Sequence, residues 1–442
     1  METKSRLFND TPHLLFQVHD TQVDTCLDIP TQDAQMLKEL AKQYAQVAAL
    51  PIQRQRMEQW RDINSLRPNK PLIWMNEICW HEMNTNGELD ILCQSPLAQR
   101  IEGELRKNLY QWNHMQGDMI LEPVLYSPII LENTGIGVTV EADLRESDKN
   151  STIASRSFHN QFQYEEDLEK LKMPELTYHE NRTRDFYQVY KNLFDGILPV
   201  EIRGCHGFWF APWDDIVFWM NATNVLSNLT EKPELMHKLV SKLVDMYIAV
   251  LDQMIKLNLL ARNDCNVRIG SGAYGYVDDL PGKDYNPHNV RTVDMWGSAT
   301  PQIFAVVSPQ MHDEFGLQYE FKWLSRFGLN YYGCCESVDG KMDVLEKIPN
   351  LRKISVSPWS NTAVAAERMK GKYVVSLKPS PSVLAFDTFS PELVEKELRE
   401  KLEQTKGCCV EIVLKDISTV RYDYKRLWEW TDIATRVARE FE

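Results

Sequence analysis

The chain has 442 residues, 43% of them hydrophobic and enough for a large core, and its 49 basic and 63 acidic side chains leave a net charge of −14. That balance disfavours nucleic acid and anionic membranes as partners and favours an enzyme or a binding protein free of the membrane. No run approaches the ~20 apolar residues of a membrane span. Residues 1–14 mix acids and bases without an apolar core, so they do not read as a secretory signal. The nine cysteines include two adjacent pairs, Cys334-Cys335 and Cys408-Cys409. Neighbouring cysteines close only a strained disulfide, which makes a reducing cytoplasm the expected compartment.

In chain order, the periodicity predicts helices over 32–49, with Thr31 as cap, and over 52–63, with Pro51 breaking them. These form an N-terminal helical extension over 1–68. Residues 71–76 are the first strong strand, followed by Glu77 and the loop Cys79-Trp80-His81-Glu82-Met83-Asn84. Ser95-Pro96 opens a long helix to about 115, and 119–126 returns as a strand. Residues 135–172 are polar and aperiodic, an insertion that is either a lid or a surface excursion. A short strand at 200–203 leads into Gly204-Cys205-His206-Gly207 and an aromatic cluster, and a long helix spans 234–260. Strands follow at 266–269, before the glycine-rich loop Gly270 to Gly275, and at 291–295. That loop lacks the Gly-Lys-Ser/Thr ending of a phosphate loop.

From 329 onward apolar runs and helical patterns alternate: strands at 329–332, 352–356, 373–377 and 408–414, and helices at 344–348, 363–369, 391–404 and 424–439. Strands separated by helices pair in parallel. The expected fold is α/β, a TIM (β/α)8 barrel over 69–442, although nine strands are counted for eight places. Polar groups follow the strands: Cys335 and Glu336, then Ser357-Pro358-Trp359, then Lys378, then Lys415-Asp416. In a barrel those positions share the rim where sites are built.

The candidate catalytic residues are therefore Glu77, His81, His206, Asp294, Lys378 and Asp416. Each has a plain alternative as a hydrogen-bonded loop residue or an ion pair. Trp209, Trp213, Arg268, Trp296 and Trp359 are candidate substrate contacts, with core packing the alternative for the aromatic cluster. Cys335 and Glu336 are candidate metal ligands. Adjacent cysteines face opposite ways on a strand, so at most one is expected to bind an ion.

Several of these stretches carry a resemblance. Tyr332-Gly333-Cys334-Cys335-Glu336, the run 348–355, Ser357-Pro358-Trp359, Ser376-Leu377-Lys378-Pro379, His81-Glu82-Met83-Asn84, Asp294-Met295-Trp296 and Lys415-Asp416 resemble a branch of the uroporphyrinogen decarboxylase superfamily. The resemblance spans residue 70 to the end. It implies a TIM barrel, often dimeric, and either porphyrinogen decarboxylation or zinc-dependent methyl transfer to or from corrinoid proteins. The arginines expected after the first strand of a porphyrinogen decarboxylase are absent from Trp74-Met75-Asn76-Glu77-Ile78. The His-x-Cys of the coenzyme M methyltransferases is replaced by Tyr332-Gly333-Cys334. What the resemblance then implies is a demethylase-type methyltransferase acting on a small methylated substrate, assisted by Zn2+, with the corrinoid supplied by a partner protein. The alternatives are a metal-assisted lyase or decarboxylase and a non-catalytic ligand-binding barrel.

Overall fold

The computed structural model describes residues 26–84, 86–145 and 155–442. Residues 1–14 lie outside that range, as does part of the 135–172 insertion. Twelve strands are present among the described residues: β1 (Leu72–Met75), β2 (Leu125–Pro128), β3 (Leu131–Asn133), β4 (Ala142–Arg145), β5 (Ser155–Phe158), β6 (Leu176–Tyr178), β7 (Val200–Arg203), β8 (Trp296–Ala299), β9 (Leu329–Tyr332), β10 (Leu351–Val356), β11 (Val374–Leu377) and β12 (Cys409–Leu414).

Six of them form one parallel sheet in the order β1-β12-β11-β10-β9-β8, and β2 pairs in parallel with β7. A parallel bridge from Cys205 to Leu260 extends that pair. The Asn263 side chain ties the next stretch to β8 through the backbone N–H and C=O of Trp296, at 2.8 and 2.9 Å. This is a TIM-like α/β architecture. Its bonded ladder covers six strands and does not by itself close a barrel.

The late strands lie within a residue of expectation, because continuous apolar runs mark strands buried on both faces. Three earlier ones moved. Residues 119–121 are an apolar run without a ladder, and the strand starts at Leu125. The expected strand at 266–269 is one arm of a tight hairpin, bridged from Arg268 to Tyr274. The expected strand at 291–295 is a 3-10 turn, Thr292–Asp294, and the strand begins at Trp296. The Thr31 cap is also corrected: the helix is Thr31–Ala48, preceded by Pro30, and has no side-chain cap bond.

The N-terminal helices belong to the body. In Pro51–Asn64, Arg56 donates to the Met119 carbonyl at 2.9 Å, and Trp60 Nε1 to the Asp118 carbonyl at 2.8 Å. Asn64 donates to the carbonyls of Tyr274 and Tyr276. The insertion contains the antiparallel pair β4–β5 and is flanked by β3–β6. It packs on outer helices: Gln161 N–H bonds the Trp219 carbonyl, and Lys242 of Pro233–Lys256 donates to the Leu168 carbonyl.

Strand alternation divides the sheet. One face presents Ile73, Met75, Ile354, Val375, Leu377, Ile412 and Leu414 to the helix layer that includes Leu398 and Trp430. The other face is polar at its centre. Lys353 Nζ donates to Glu411 Oε2 at 2.7 Å, both side chains fully buried. Ser376 donates to the other Glu411 oxygen at 2.5 Å. The 268–274 hairpin lies against this face, where a Cβ on Gly272 would stand 2.6 Å from Glu411 Oε1, so only glycine admits the approach.

Breaking a buried ion pair strands its partner. Lys353→Met is expected to lower the unfolding free energy by ~3–5 kcal/mol, and the double replacement Lys353→Met/Glu411→Leu by clearly less. Urea denaturation of both checks this. A single replacement costing under ~1 kcal/mol would show that the pair does not brace the sheet.

Candidate functional site

The carboxyl ends of β1, β12, β11 and β9 deliver Glu77, Lys415-Asp416, Lys378 and Cys334-Cys335 to one region. The link is set by register: β1 lies beside β12, with Met75 opposite Leu414, so the residues that follow each strand meet. Lys415 is central. Its side chain is 7% exposed, and its Nζ lies 2.7 Å from Asp416 Oδ2, 3.4 Å from Glu77 Oε2 and 3.5 Å from Cys334 Sγ. Glu77 Oε1 in turn stands 2.8 Å from Arg268 Nη1.

Two of these rim residues hold unusual backbone. Glu77 (φ 52°) and Asp416 (φ 57°) are non-glycine residues in the left-handed region. Each such residue costs on the order of 1–3 kcal/mol and persists where its surroundings fix it. Here the Asp416 N–H bonds Glu77 Oε2 at 3.2 Å, and the Ile417 N–H bonds the Glu77 carbonyl at 3.1 Å.

Electrostatics follow from the packing. For Glu77, burial pushes the carboxyl upward, and the Arg268 and Lys415 charges overcome it and hold the group well below the usual carboxylate range. Burial would lower Lys415, but the Cys334 sulfur, Glu77 and Asp416 raise it well above the ordinary lysine value, so it stays charged. Cys334 and Cys335 have their sulfurs 3.5 Å apart. The hydrogen bond from Cys335 lowers the Cys334 thiol, burial opposes the shift, and Lys415 adds to it. Cys335 is pushed up by the same contact. Cys334 is therefore the thiol inclined to ionise.

Below this cluster Lys378, 4% exposed, donates to Ser376 Oγ at 2.5 Å and to the Tyr331 hydroxyl at 3.2 Å. Burial brings its ammonium down to about 7. The Ser271 hydroxyl joins the network against Tyr331 at 2.9 Å.

The expected metal pair diverges. Glu336 is fully buried, accepts from Thr300 Oγ1 at 3.1 Å and from the Cys334 N–H at 2.8 Å, and is pushed upward by burial. Cys335 faces Asp416 instead, at 3.8 Å. Among the described residues no three His, Cys, Asp or Glu side chains converge as a metal set, and Lys415 takes the space between Glu77, Asp416 and Cys334. Cys335 and Glu336 in this arrangement do not fit a zinc ion. All nine cysteines are free thiols.

The other expected residues separate. Asp294 is a correction: it sits at the amino end of β8, fully buried and held low by Arg291, which reaches it at 2.9 Å. His81 Nε2 is 3.6 Å from Glu82 Oε1, and its ring meets Tyr422 edge-on. Its contacts are therefore with the loop after β12 rather than with Lys415. His206 bonds the Gly204 carbonyl through Nδ1 at 2.7 Å, is lowered to about 4 by burial, and lines a second cavity of about 380 Å³ beside β2 and β7. Trp213 and Trp296 are core: their indoles donate to the carbonyls of Phe315 and Gly275. Trp209 is half-buried in the same aromatic loop, and Trp359 is 79% exposed beyond β10. Of the candidate substrate contacts, Arg268 is the one in contact with the cluster.

Lys415 and Cys334 are the site residues that the sequence alone does not single out. The signal was present in Lys415-Asp416 and Cys334-Cys335 after two strands; what was missing was the adjacency of β1 and β12. Beside the cluster, where the ladder is absent between β1 and β2, lies a cavity of about 400 Å³ lined by Trp74, Glu77, Trp80, Tyr126, Arg203 and Arg268, among others.

No protein-family model matches the sequence, and no curated protein matches it. Among solved structures, the chain is similar to a methyltransferase from Methanosarcina mazei, at 11% identity and a TM-score of 0.47, with 87% of this chain and 98% of that chain covered. A likeness so distant fixes neither family nor activity, and the chemistry rests on the side chains. No helix among the described residues is long and apolar enough to cross a membrane.

The buried Lys378 gives a pH test. Its folded value of about 7 lies below the ordinary 10.5. Between those values the unfolded chain holds a proton that the folded chain lacks, so this residue's contribution is full above 10.5 and is lost as pH falls toward 7. Lys378→Met should therefore gain stability relative to wild type on going from pH 10 to pH 7, measured by denaturation at both. A pH-independent difference would contradict the shift.

Proposed function

We propose that the chain is a methyltransferase of the demethylase type: a small methylated molecule binds at the carboxyl ends of the strands, and its methyl group passes to a corrinoid carried by a partner protein. The observation that carries this reading is the cluster in which one buried ammonium, Lys415, touches the buried Cys334, the part-buried Glu77 and the exposed Asp416. The motifs around 332–359 and 415–416 support it by resemblance.

The chemistry asks for little from the protein beyond placed charge. When a methyl group leaves, the donor heteroatom keeps the electron pair of the broken bond. A fixed cation aimed at that atom lowers the barrier, most of all in a site shielded from water. Lys415 is such a cation, its ammonium favoured by its neighbours, held by two carboxylates and by backbone whose strain those same contacts stabilise. Cys334, beside the same ammonium, is the thiol inclined to ionise. Lys378, titrating near neutrality, can exchange the proton that an oxygen or nitrogen leaving group takes up, relayed through Tyr331 and Ser376. Because Cys335 and Glu336 diverge, no step is assigned to a metal. The exposed Trp359 offers the partner an apolar contact at the rim.

The test uses the full chain with cob(I)alamin as acceptor and a panel of methylated amines and ethers as donors, followed by loss of cob(I)alamin absorbance. Lys415→Met and Cys334→Ser are each expected to lower the turnover of the best donor by ~100- to 1,000-fold, the range for removing one placed electrostatic group. Wild-type rates in either variant would contradict the assignment.

A further inference from the structure

Two adjacent cysteine pairs occur in the chain, and the fold treats them differently. Cys408 Sγ lies 3.6 Å from the Ala366 carbonyl and Cys409 Sγ 3.3 Å from the Arg67 carbonyl, in separate apolar clusters, as strand alternation requires. Cys334 and Cys335 depart from that pattern. They follow β9 after Gly333, whose φ of 90° turns the backbone out of the strand, and their sulfurs approach to 3.5 Å. The turn is pinned: the Cys334 N–H bonds Glu336 at 2.8 Å, and the Cys334 carbonyl accepts from Ser355 Oγ at 2.7 Å.

That spacing selects a chemistry. A disulfide needs ~2.05 Å between sulfurs, and the Cα atoms of adjacent residues, ~3.8 Å apart, are closer than a relaxed disulfide tolerates. Two bonds of ~2.3 Å from sulfur to one soft atom, the length of a zinc–thiolate bond, span ~3.3 Å at a right angle, ~3.8 Å at the tetrahedral angle and ~4.6 Å in line. The sulfurs of Cys334 and Cys335, at 3.5 Å, stand between the first two. A linear two-thiolate centre of copper(I) or mercury(II) is too long for the pair. A tetrahedral zinc ion needs further ligands, and among the described residues no third His, Cys, Asp or Glu completes a metal set with these two. Trivalent arsenic makes neither demand: it is thiophilic, its bonds are pyramidal and near right angles, and an organic arsenical brings its own third bond to carbon.

We propose that Cys334 and Cys335 form a dithiol site that captures a trivalent organic arsenical, R-As(OH)2, as a two-sulfur chelate. The half-buried Cys335, beside the exposed Asp416, is the entry, and the buried Cys334 closes the ring. Two S–H and two As–O bonds break, two As–S bonds form, and two molecules of water leave. Arsenic stays trivalent, so no oxidant or reductant is consumed. The site goes beyond the methyl-transfer reading and does not depend on it. Cys334 Sγ lies 3.5 Å from Lys415 Nζ, so capture also alters the surroundings of that ammonium.

Incubation of the full chain with one equivalent of phenylarsine oxide, then with excess glutathione, followed by intact mass spectrometry, tests it. A chelate resists a monothiol, because a displaced sulfur stays at high local concentration and rebinds, whereas an arsenical on a single cysteine is stripped. The wild type is expected to retain one phenylarsenic group per chain and to release it to 2,3-dimercaptopropanol. Retention should be lost in Cys335→Ala and in Cys334→Ser, and be unchanged in the double variant Cys408→Ser/Cys409→Ser. Should Cys334→Ser fail to fold by circular dichroism, Cys335→Ala and Cys335→Ser, at the half-buried position, carry the test. No glutathione-resistant group on folded wild-type protein, or one that persists in either single variant, overturns the proposal. Loss of the group in the Cys408→Ser/Cys409→Ser variant overturns it as well.

Discussion

A buried ammonium is among the least comfortable groups a protein can hold, because removing it from water costs several kcal/mol that only close anions return. Lys415 is such a group, and the rim is arranged around it. Glu77 and Asp416 come from the ends of adjacent strands, both in left-handed backbone, and Cys334 comes from β9. Loss of any one changes the field on the other members, which makes this cluster a single cooperative unit.

The rest of the inner face continues the same logic. Glu411 neutralises Lys353 and accepts from Ser376, which accepts in turn from Lys378. The glycine-rich hairpin closes over this chain, with the Ala273 N–H on Glu411 and the Ser271 hydroxyl on the Gly333 carbonyl. A face that would otherwise be filled by branched apolar side chains is thus a bonded polar column beneath the site. Such a column fixes positions because each member has few alternative partners.

Much of this was legible in sequence. The runs that form β9 to β12 are buried on both faces, apolar toward the helices and largely polar on the other side, and their polar ends mark the rim. The errors came where apolar runs are buried by other means. Residues 119–121 are held by Arg56, by Gln53 and by the Tyr274 hydroxyl rather than by a neighbouring strand. The stretch 291–295 is closed on itself by Arg291 and Asp294, which displaced Asp294 from the rim to the opposite end. Glu336 reads as a ligand because it follows a strand and suits the carboxylate ligands that the resemblance implies, but Thr300 on the neighbouring strand end donates to it. The pairing of Glu77 with Lys415, 338 positions apart, depends on β1 docking beside β12, and local pattern cannot report it.

The account turns on Cys334 being held toward its thiolate by Cys335 and Lys415. Thiolate absorbance at 240 nm, taken as the difference between wild type and Cys334→Ser across pH, measures that directly. The account predicts a midpoint below the ordinary 9.0, moving upward in both Cys335→Ala and Lys415→Met. A midpoint at or above 9.0 that neither replacement moves would contradict it.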